Sequence, residues 1–145
     1  MSSATNYLEN KIVDWLFRGQ AFAPPATLYV ALFTAAPSDA GGGTEVTGGA
    51  YARVAVASSL ADWAGTQSAG SVVASTGTGG QTSNNAPITF PAPTANWGSV
   101  THFAIFDAAS GGNMLFWAPL TAAKTINNGD AAPAFPAGTL LATVA

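Results

Sequence analysis

A single histidine is the first candidate for acid–base or metal chemistry. His102 is the only histidine in the 145-residue chain, and it lies within an alternating apolar stretch without a nearby carboxylate in sequence. A catalytic or metal-binding histidine normally has a partner that orients its ring. A serine-type triad would combine His102 with a loop aspartate and a serine outside any nucleophile-elbow motif. We therefore expect a structural role for His102.

The acidic residues form no recognisable catalytic or metal-binding pattern. Their spacing matches no calcium-loop motif, and Asp107 and Asp130 flank turns, where such side chains often bond the backbone. The chain has no cysteine, which excludes disulfides and thiolate metal sites. We predict no catalytic residue, no metal site and no cofactor, and hence neither an enzyme nor a small-molecule substrate. The acidic side chains expected in loops are Asp39, Glu45, Asp62, Asp107 and Asp130.

Phosphate and nucleic acid are not expected ligands. The glycine-rich runs at residues 41–43 and 77–80 lack the lysine and the following helix that a phosphate cradle needs. The net charge is −3. Binding to nucleic acid requires clustered basic residues, whereas the basic residues here are scattered along the chain at Lys11, Arg18, Arg53 and Lys124.

Aromatic side chains are the other candidates for a binding site. They could line a glycan-binding groove by stacking on sugar faces, but β-sandwich cores also hold such residues at inward positions. We favour the core or a subunit interface and keep the glycan groove as the alternative. The residues concerned are Tyr29, Tyr51, Trp63, Trp97 and Trp117.

The element that must position most of these residues is a central pair of strands. Residues 97–107 and 114–118 alternate with the period of a pleated strand, and residues 107–113 form a turn rich in small and polar side chains. Both faces of the pair carry large apolar groups. Such a pair is normally covered on both sides, so we place it at the centre of a sandwich or with one face against a partner chain.

Shorter strands and loops surround this pair. Seven or eight short strands separated by turn signals are typical of a β-sandwich, and we predict an all-β, jelly-roll-like antiparallel sandwich. It would span about residues 27–145 of a single domain, residues 1–145. Residues 75–85 contain almost no apolar side chains to bury, so we predict a mobile loop there, or an arm that becomes ordered on a partner. Strands are predicted at residues 27–34, 51–58, 86–91 (at an edge), 123–127 and 139–144, with a loop at 35–50.

One amphipathic helix is predicted over about residues 6–18. It would begin at a capping box formed by Asn6 and Glu9 and end before Gly19. Its polar face is not basic, so membrane binding is not expected. We predict a lid over one open end of the sandwich, with a docking arm for a neighbouring subunit as the alternative. The apolar face comprises Leu8, Ile12, Trp15 and Leu16.

The composition favours a surface covered by other protein. Hydrophobic residues make up 48% of the chain and charged residues 8%, against roughly 25% charged residues in an ordinary soluble domain. No run is long enough to cross a bilayer, and the start lacks the basic and apolar regions of a signal peptide. We therefore expect copies of the chain, or another protein, to cover much of its surface.

Three motifs carry a resemblance to a known family. LYVALFTAAP, GGAYARV and WGSVTHFAIFDAASGGN lie within residues 6–130, and this stretch resembles small virion proteins of tailed bacteriophages. Among these, the chain resembles capsid cement (decoration) proteins of short-tailed phages, and related sequences are often labelled tail-fibre proteins.

The resemblance has specific implications for function. It implies a jelly-roll-like sandwich, made in the host cytoplasm, that forms a homo-oligomer (dimer or trimer) on the outer capsid surface. There it would bind the major capsid protein and stabilise contacts between capsid subunits. A tail-fibre protein or a receptor- or glycan-binding tail module is the alternative.

Overall fold

The computed structural model describes residues 3–144. Within them the chain forms one helix, α1 (Asn6–Arg18), and ten strands. The strands are β1 (Ser3–Ala4), β2 (Thr27–Ala35), β3 (Thr44–Glu45), β4 (Val54–Ala57), β5 (Gln81–Ser83), β6 (Ile88–Thr89), β7 (Gly98–Phe106), β8 (Met114–Ile126), β9 (Ala134–Phe135) and β10 (Leu141–Thr143).

The strands form one large sheet and two small ribbons, all antiparallel. The large sheet has the order β1-β8-β7-β2-β3, and β4 also pairs with β2. The ribbons β5/β10 and β6/β9 make the second layer. The predicted all-β antiparallel sandwich with an N-terminal helix is confirmed. The main core lies between the layers and contains Val30, Leu32, Val46, Ile88, Phe90, Trp97, Val100, Phe103, Ile105, Ala118, Ile126 and Leu140.

The strand pair β7/β8 is central, as the sequence predicts. Phe103 and Ile105 of β7 enter the main core, whereas Ala104 and Phe106 alternate with them on the opposite face. That face holds a second buried cluster, which combines small and large side chains of the sheet. Both faces of β7 are therefore covered within one chain. The second cluster consists of Ala31, Phe33, Ala104, Phe106 and Met114, with Tyr29 and Trp117 packed against it.

The predicted separate strand at residues 123–127 is wrong, because β8 continues from Met114 to Ile126. Val100 pairs with Lys124 and His102 with Pro119, so two steps along β7 correspond to five along β8. Three extra residues therefore bulge from β8 between Pro119 and Lys124. Proline cannot donate a ladder hydrogen bond and is tolerated in a strand at such bulges.

The helix has the predicted extent, but its cap and its packing differ from the prediction. Thr5, not Asn6, is the N-cap, and its hydroxyl accepts the Leu8 N–H at 3.5 Å. Gly19 ends the helix in the left-handed conformation (φ 67°), as expected. The helix packs against β8, and of its apolar side chains only Leu8 is buried. The helix therefore buries only one residue of its apolar face, whereas a lid over the sandwich was predicted to use the whole face.

The polar stretch at residues 75–85 is partly structured, contrary to the prediction. Its end forms β5, which pairs with β10, and the following Asn84 is buried, with 1% of its surface exposed. The Asn84 amide donates to the carbonyls of Ala86, Phe135 and Pro136 and accepts the Leu140 N–H. One polar side chain therefore satisfies backbone groups that the ribbons would otherwise bury without partners.

Several other predicted strands are shorter in the structure. The predicted strand at 51–58 is reduced to Val54–Ala57, the one at 86–91 to Ile88–Thr89, and the one at 139–144 to Leu141–Thr143. The predicted loop at 35–50 contains the two-residue strand β3. Several of the excluded positions still make backbone hydrogen bonds, such as Ser58 N–H to the Ala26 carbonyl and Phe90 N–H to the Pro133 carbonyl, without belonging to a strand.

Candidate functional site

His102 lies on the outer face of the large sheet in a structural setting. Its Nδ1 is 2.8 Å from the Thr101 hydroxyl, and its half-buried ring is 5.9 Å from that of Trp117. No group of three or more histidine, aspartate or glutamate side chains within residues 3–144 is placed to hold a metal ion. The observed contacts of His102 are thus with a hydroxyl and an indole.

Each loop carboxylate is held by a neighbouring donor. The predicted turn roles of Asp107 and Asp130 are confirmed, since they accept the backbone N–H of Asn113 and of Asn127, both at 2.7 Å. The acidic side chains therefore hold turns and loops together. The other contacts are Asp39 with the Trp117 indole, Asp62 with the Ser59 hydroxyl, and Glu45 with Tyr51 and Arg53.

The five aromatic candidates do not line a common groove. Trp97 is 6% exposed, and its indole donates to the Gly49 carbonyl at 2.9 Å. Tyr51 meets the Trp97 ring edge-on at 5.4 Å, and Trp63 packs against the same core. Tyr29 and Trp117 belong to the cluster on the other face. Of the preferred assignment to the core or a subunit interface, the core is confirmed, and these residues do not form the glycan groove that was the alternative.

A cluster around Arg53 is the main feature that sequence reasoning missed. The guanidinium binds both carboxylate oxygens of Glu45 at 2.8 Å and donates to the carbonyls of Ala108 and Gly111 at 2.8 and 2.9 Å. It also lies over the Phe106 ring. We call Glu45, Tyr51, Arg53 and Phe106 the Arg53 cluster. It joins the loop before β4 to the turn between β7 and β8.

Tyr51 extends this cluster into the core. Its hydroxyl accepts the Leu32 N–H and donates to Glu45 Oε1, both at 2.9 Å. Burial, reinforced by the nearby Glu45 carboxylate, raises the pKa of the Tyr51 phenol well above its usual range. The only sequence signal was a pair of opposite charges eight residues apart, Glu45 in a predicted loop and Arg53 in a predicted strand, and such a pair does not predict a buried ion pair.

An open cleft of about 670 Å³ lies beside the Arg53 cluster. Three segments form its walls: the start of α1 (residues 5–7), the loop at residues 39–43 and the end of the β7–β8 turn (residues 112–114). Phe33 and Phe106 form its floor, and Glu45 contributes to its side. We refer to this feature as the glycine-loop cleft.

The second half of α1 forms an exposed apolar surface. No helix in the described part of the chain is long and apolar enough to cross a membrane. Large apolar side chains are nevertheless presented to solvent on more than one side of α1. Their exposed fractions are 48% for Val13, 55% for Trp15, 59% for Leu16 and 77% for Phe17. We call these four residues the α1 apolar surface.

The family comparison places the chain among phage structural proteins. A family model described as Podophage GP4 fiber I protein gp80 matches residues 3–143. The chain belongs to this gp80 family. The predicted resemblance to bacteriophage virion proteins is therefore confirmed, and the protein is virion-associated. The family description names a fibre protein, in agreement with the tail-fibre label carried by the resemblance, and does not name a capsid cement protein.

The gp80 match also covers both surface features. The α1 apolar surface and every segment that lines the glycine-loop cleft fall within the matched residues. No curated protein matches the chain.

Proposed function

We propose that this chain is a fibre component of the virion and is attached to another virion protein through the second half of α1. The observation that carries the proposal is the α1 apolar surface, whose most exposed member is Phe17 at 77%. Exposed apolar side chains of a helix are the recognition element in helix-in-groove complexes. The gp80 family description supports the fibre assignment.

The way α1 is held supports an attachment role. Its first turn is joined to the body through Leu8, which is buried, and through Thr5, whose hydroxyl donates to the Met114 carbonyl. Trp15, Leu16 and Phe17 follow one to two turns later and are exposed. A helix fixed at its first turn presents its second half in a defined orientation, so docking costs little ordering entropy. We propose that a hydrophobic groove of the partner protein receives this half.

We further propose that the protein acts without catalysis and forms a homo-oligomer, either a dimer or a trimer. The low charge content of 8% suits extensive contacts with other protein. Neighbouring copies in an oligomer would present several α1 helices to the virion. When several linked helices bind at once, the whole oligomer is attached more strongly than a single helix would be, even though each helix makes the same contacts.

The second candidate function is that of a capsid cement protein on the outer capsid surface, bound to the major capsid protein. A second set of exposed apolar side chains favours it, because a protein that ties neighbouring capsid subunits together needs more than one contact area. This set lies within residues 60–73 and comprises Leu60, Val72 and Val73, which are 57–60% exposed.

The test is to locate the protein in virions and to alter α1. Phages that encode the protein with a C-terminal epitope tag are purified, labelled with gold-conjugated antibody and imaged. Incorporation is quantified by immunoblot for wild type, for the double variant Leu16→Ser/Phe17→Ser, and for the control Glu9→Ser/Asn10→Ser. The control changes exposed polar residues of the same helix.

The outcomes separate the candidates. We expect the label to be confined to the tail. We also expect incorporation to fall at least tenfold in the Leu16/Phe17 variant and to be retained in the control. Regular label over the shell would replace the fibre role with the cement role. Full incorporation of the Leu16/Phe17 variant would refute attachment through α1, and absence of the protein from virions would refute both functions.

A further inference from the structure

We propose that Asn128 is a site of spontaneous deamidation, at which the protein acquires an isoaspartate as it ages. The proposal is independent of where on the virion the chain is attached. Of the eight asparagines, only Asn128 precedes a glycine. Glycine has no side chain, so its backbone nitrogen reaches the side-chain carbonyl carbon of the preceding asparagine without steric hindrance. By local sequence, Asn128 is therefore the most reactive asparagine of the chain.

The reaction needs only water and hydroxide from the solvent. The backbone nitrogen of Gly129 loses its proton to hydroxide and attacks Cγ of Asn128. A C–N bond forms there, and the side-chain nitrogen leaves as ammonia, which gives a five-membered succinimide. Water then opens the ring, at the backbone carbonyl carbon to give isoaspartate or at Cγ to give aspartate. One water is consumed, one ammonia is released, and nothing is oxidised or reduced.

The side chain of Asn128 is unrestrained. It lies in the exposed turn at residues 127–130 and makes no hydrogen bond to the residues that the structure describes, 3–144. Other asparagine side chains are held in place. Asn84 is buried and bonds four backbone groups, and the Asn113 amide donates to the Asp107 carboxylate. The reactive sequence thus coincides with a side chain that nothing restrains.

The attacking nitrogen of Gly129 is held only weakly. Its N–H donates to the Pro93 carbonyl at 3.2 Å, and the Asp130 N–H closes the turn on the Asn127 carbonyl at 3.1 Å. Both distances are at the long end of the range for such hydrogen bonds, and exposed turns of this kind open locally at little cost in free energy. A Cβ atom at Gly129 would meet nothing within 4 Å. The turn therefore has room for the succinimide ring.

Conversion to isoaspartate would loosen the contact between this turn and the loop before β7. Two successive N–H groups hold that loop: Asn128 N–H donates to Asn96 Oδ1 at 2.8 Å, and Gly129 N–H donates to the Pro93 carbonyl. Isoaspartate inserts a methylene group into the backbone between these two N–H groups, so they cannot keep their present spacing. The product also changes the net charge of the chain from −3 to −4.

A slow change of this kind matters for a virion-associated protein. The chain belongs to a phage structural family, and a protein of an assembled particle is not replaced by new synthesis. Isoaspartate at residue 128 would therefore accumulate with the age of the particle.

The test follows the purified full-length chain during several weeks at mildly alkaline pH. Peptides that contain the turn are analysed by mass spectrometry, and isoaspartate is detected by labelling with an isoaspartyl methyltransferase. Asn128 is expected to convert at least tenfold faster than Asn127 and Asn10, which are also exposed but do not precede glycine, and to give isoaspartate as well as aspartate. The variant Asn128→Gln, which would have to form a six-membered ring, is expected to remain unconverted.

The proposal is overturned if Asn128 converts no faster than Asn127, or if aspartate is the only product. It is also overturned if the chain converts when unfolded in urea but not when folded. These results are independent of the location of the protein in the virion, which the gold label tests separately.

A second variant separates the added charge from the added methylene group. Asn128→Asp introduces only the charge, so the freshly purified variant is expected to melt close to wild type. The chain converted to isoaspartate is expected to melt at a lower temperature than either. Equal melting temperatures for the converted chain and wild type would overturn the loosening of the loop.

Discussion

The Arg53 guanidinium carbon lies 3.6 Å from the centroid of the Phe106 ring. The contact joins an ion pair to an aromatic stack, since the same guanidinium binds Glu45 and the Phe106 ring faces Phe33. Glu45 and Phe106 both line the glycine-loop cleft. The Arg53 cluster therefore connects the sandwich to the lining of the glycine-loop cleft.

Replacing Arg53 with lysine is expected to lower the free energy of unfolding by about 2–4 kcal/mol. Lysine keeps the charge but cannot reproduce the two-pronged bond to Glu45 or the planar stack on Phe106, and the Arg53 side chain is only 7% exposed. Urea denaturation measures the change. Arg18→Lys is the control, because the Arg18–Asp14 pair is exposed and should contribute less than about 0.5 kcal/mol. Equal effects of the two substitutions would contradict the role of the cluster.

Tyr51→Phe is expected to cost about 1–3 kcal/mol near neutral pH. The phenylalanine ring keeps the packing against Trp97 and Phe90, but the Leu32 N–H loses its acceptor and Glu45 loses a donor. Urea denaturation at pH 7 checks this value. A change within experimental error would show that the two hydrogen bonds add little.

The raised pKa of Tyr51 also predicts a pH dependence. The folded protein holds the phenolic proton more tightly than the unfolded chain, so this contribution to stability is full below the unfolded-state pKa of about 10. It is lost as the pH rises from there towards the higher folded-state pKa. Between about pH 9 and 11, wild type should therefore lose stability more steeply than Tyr51→Phe. Parallel pH profiles would disprove this linkage.

Asn84→Ala is expected to destabilise the protein by about 2–4 kcal/mol, because it leaves several buried backbone groups without partners. Thermal unfolding is a suitable measurement. Asn128→Ala is the matched control, since Asn128 is exposed and lies in a turn, and its effect should stay within about 0.5 kcal/mol. A similar melting temperature for the two variants would refute the central role of Asn84.

The two parts of α1 should respond differently to mutation. Leu8→Ala removes a buried side chain and is expected to cost about 2–4 kcal/mol. The double variant Leu16→Ser/Phe17→Ser changes exposed positions and should alter the stability of the isolated protein by no more than about 1 kcal/mol. Chemical denaturation of both proteins makes the comparison. A large loss in the double variant would mean that this half of the helix packs on its own chain.

Gly49 and Gly48 provide a matched pair of glycines. Both have positive φ, 57° and 70°, so alanine is strained at either position. A Cβ at Gly49 would also lie 2.8 Å from the Trp97 indole nitrogen, whereas one at Gly48 would meet nothing within 4 Å. Gly49→Ala should therefore cost about 1–3 kcal/mol more than Gly48→Ala, in urea denaturation. Equal costs would mean that Trp97 moves aside freely.

The elements that follow from local patterns were predictable. The period-two alternation around His102 placed β7 at the centre of the sandwich, and the amphipathic pattern ending at Gly19 set the extent of α1. The same patterns misplaced the N-cap by one residue and divided β8 at Pro119. Both errors have one cause: the hydroxyl partner of Thr5 and the bulge that tolerates Pro119 involve residues far along the chain.

Sequence by itself determined the class of the fold and the scattering of the basic residues, because these depend on composition and on short-range spacing. The phage virion family was indicated separately, by the resemblance of three sequence motifs. Tertiary structure alone decided which polar residues are buried and which apolar residues remain exposed. Arg53 reaches the Ala108 carbonyl across 55 positions, and Asn84 reaches the Leu140 N–H across 56. Trp15 and Leu16 have the spacing of buried residues but lie where the sheet provides no cover. Burial depends on what the folded chain places opposite a side chain, which no local pattern specifies.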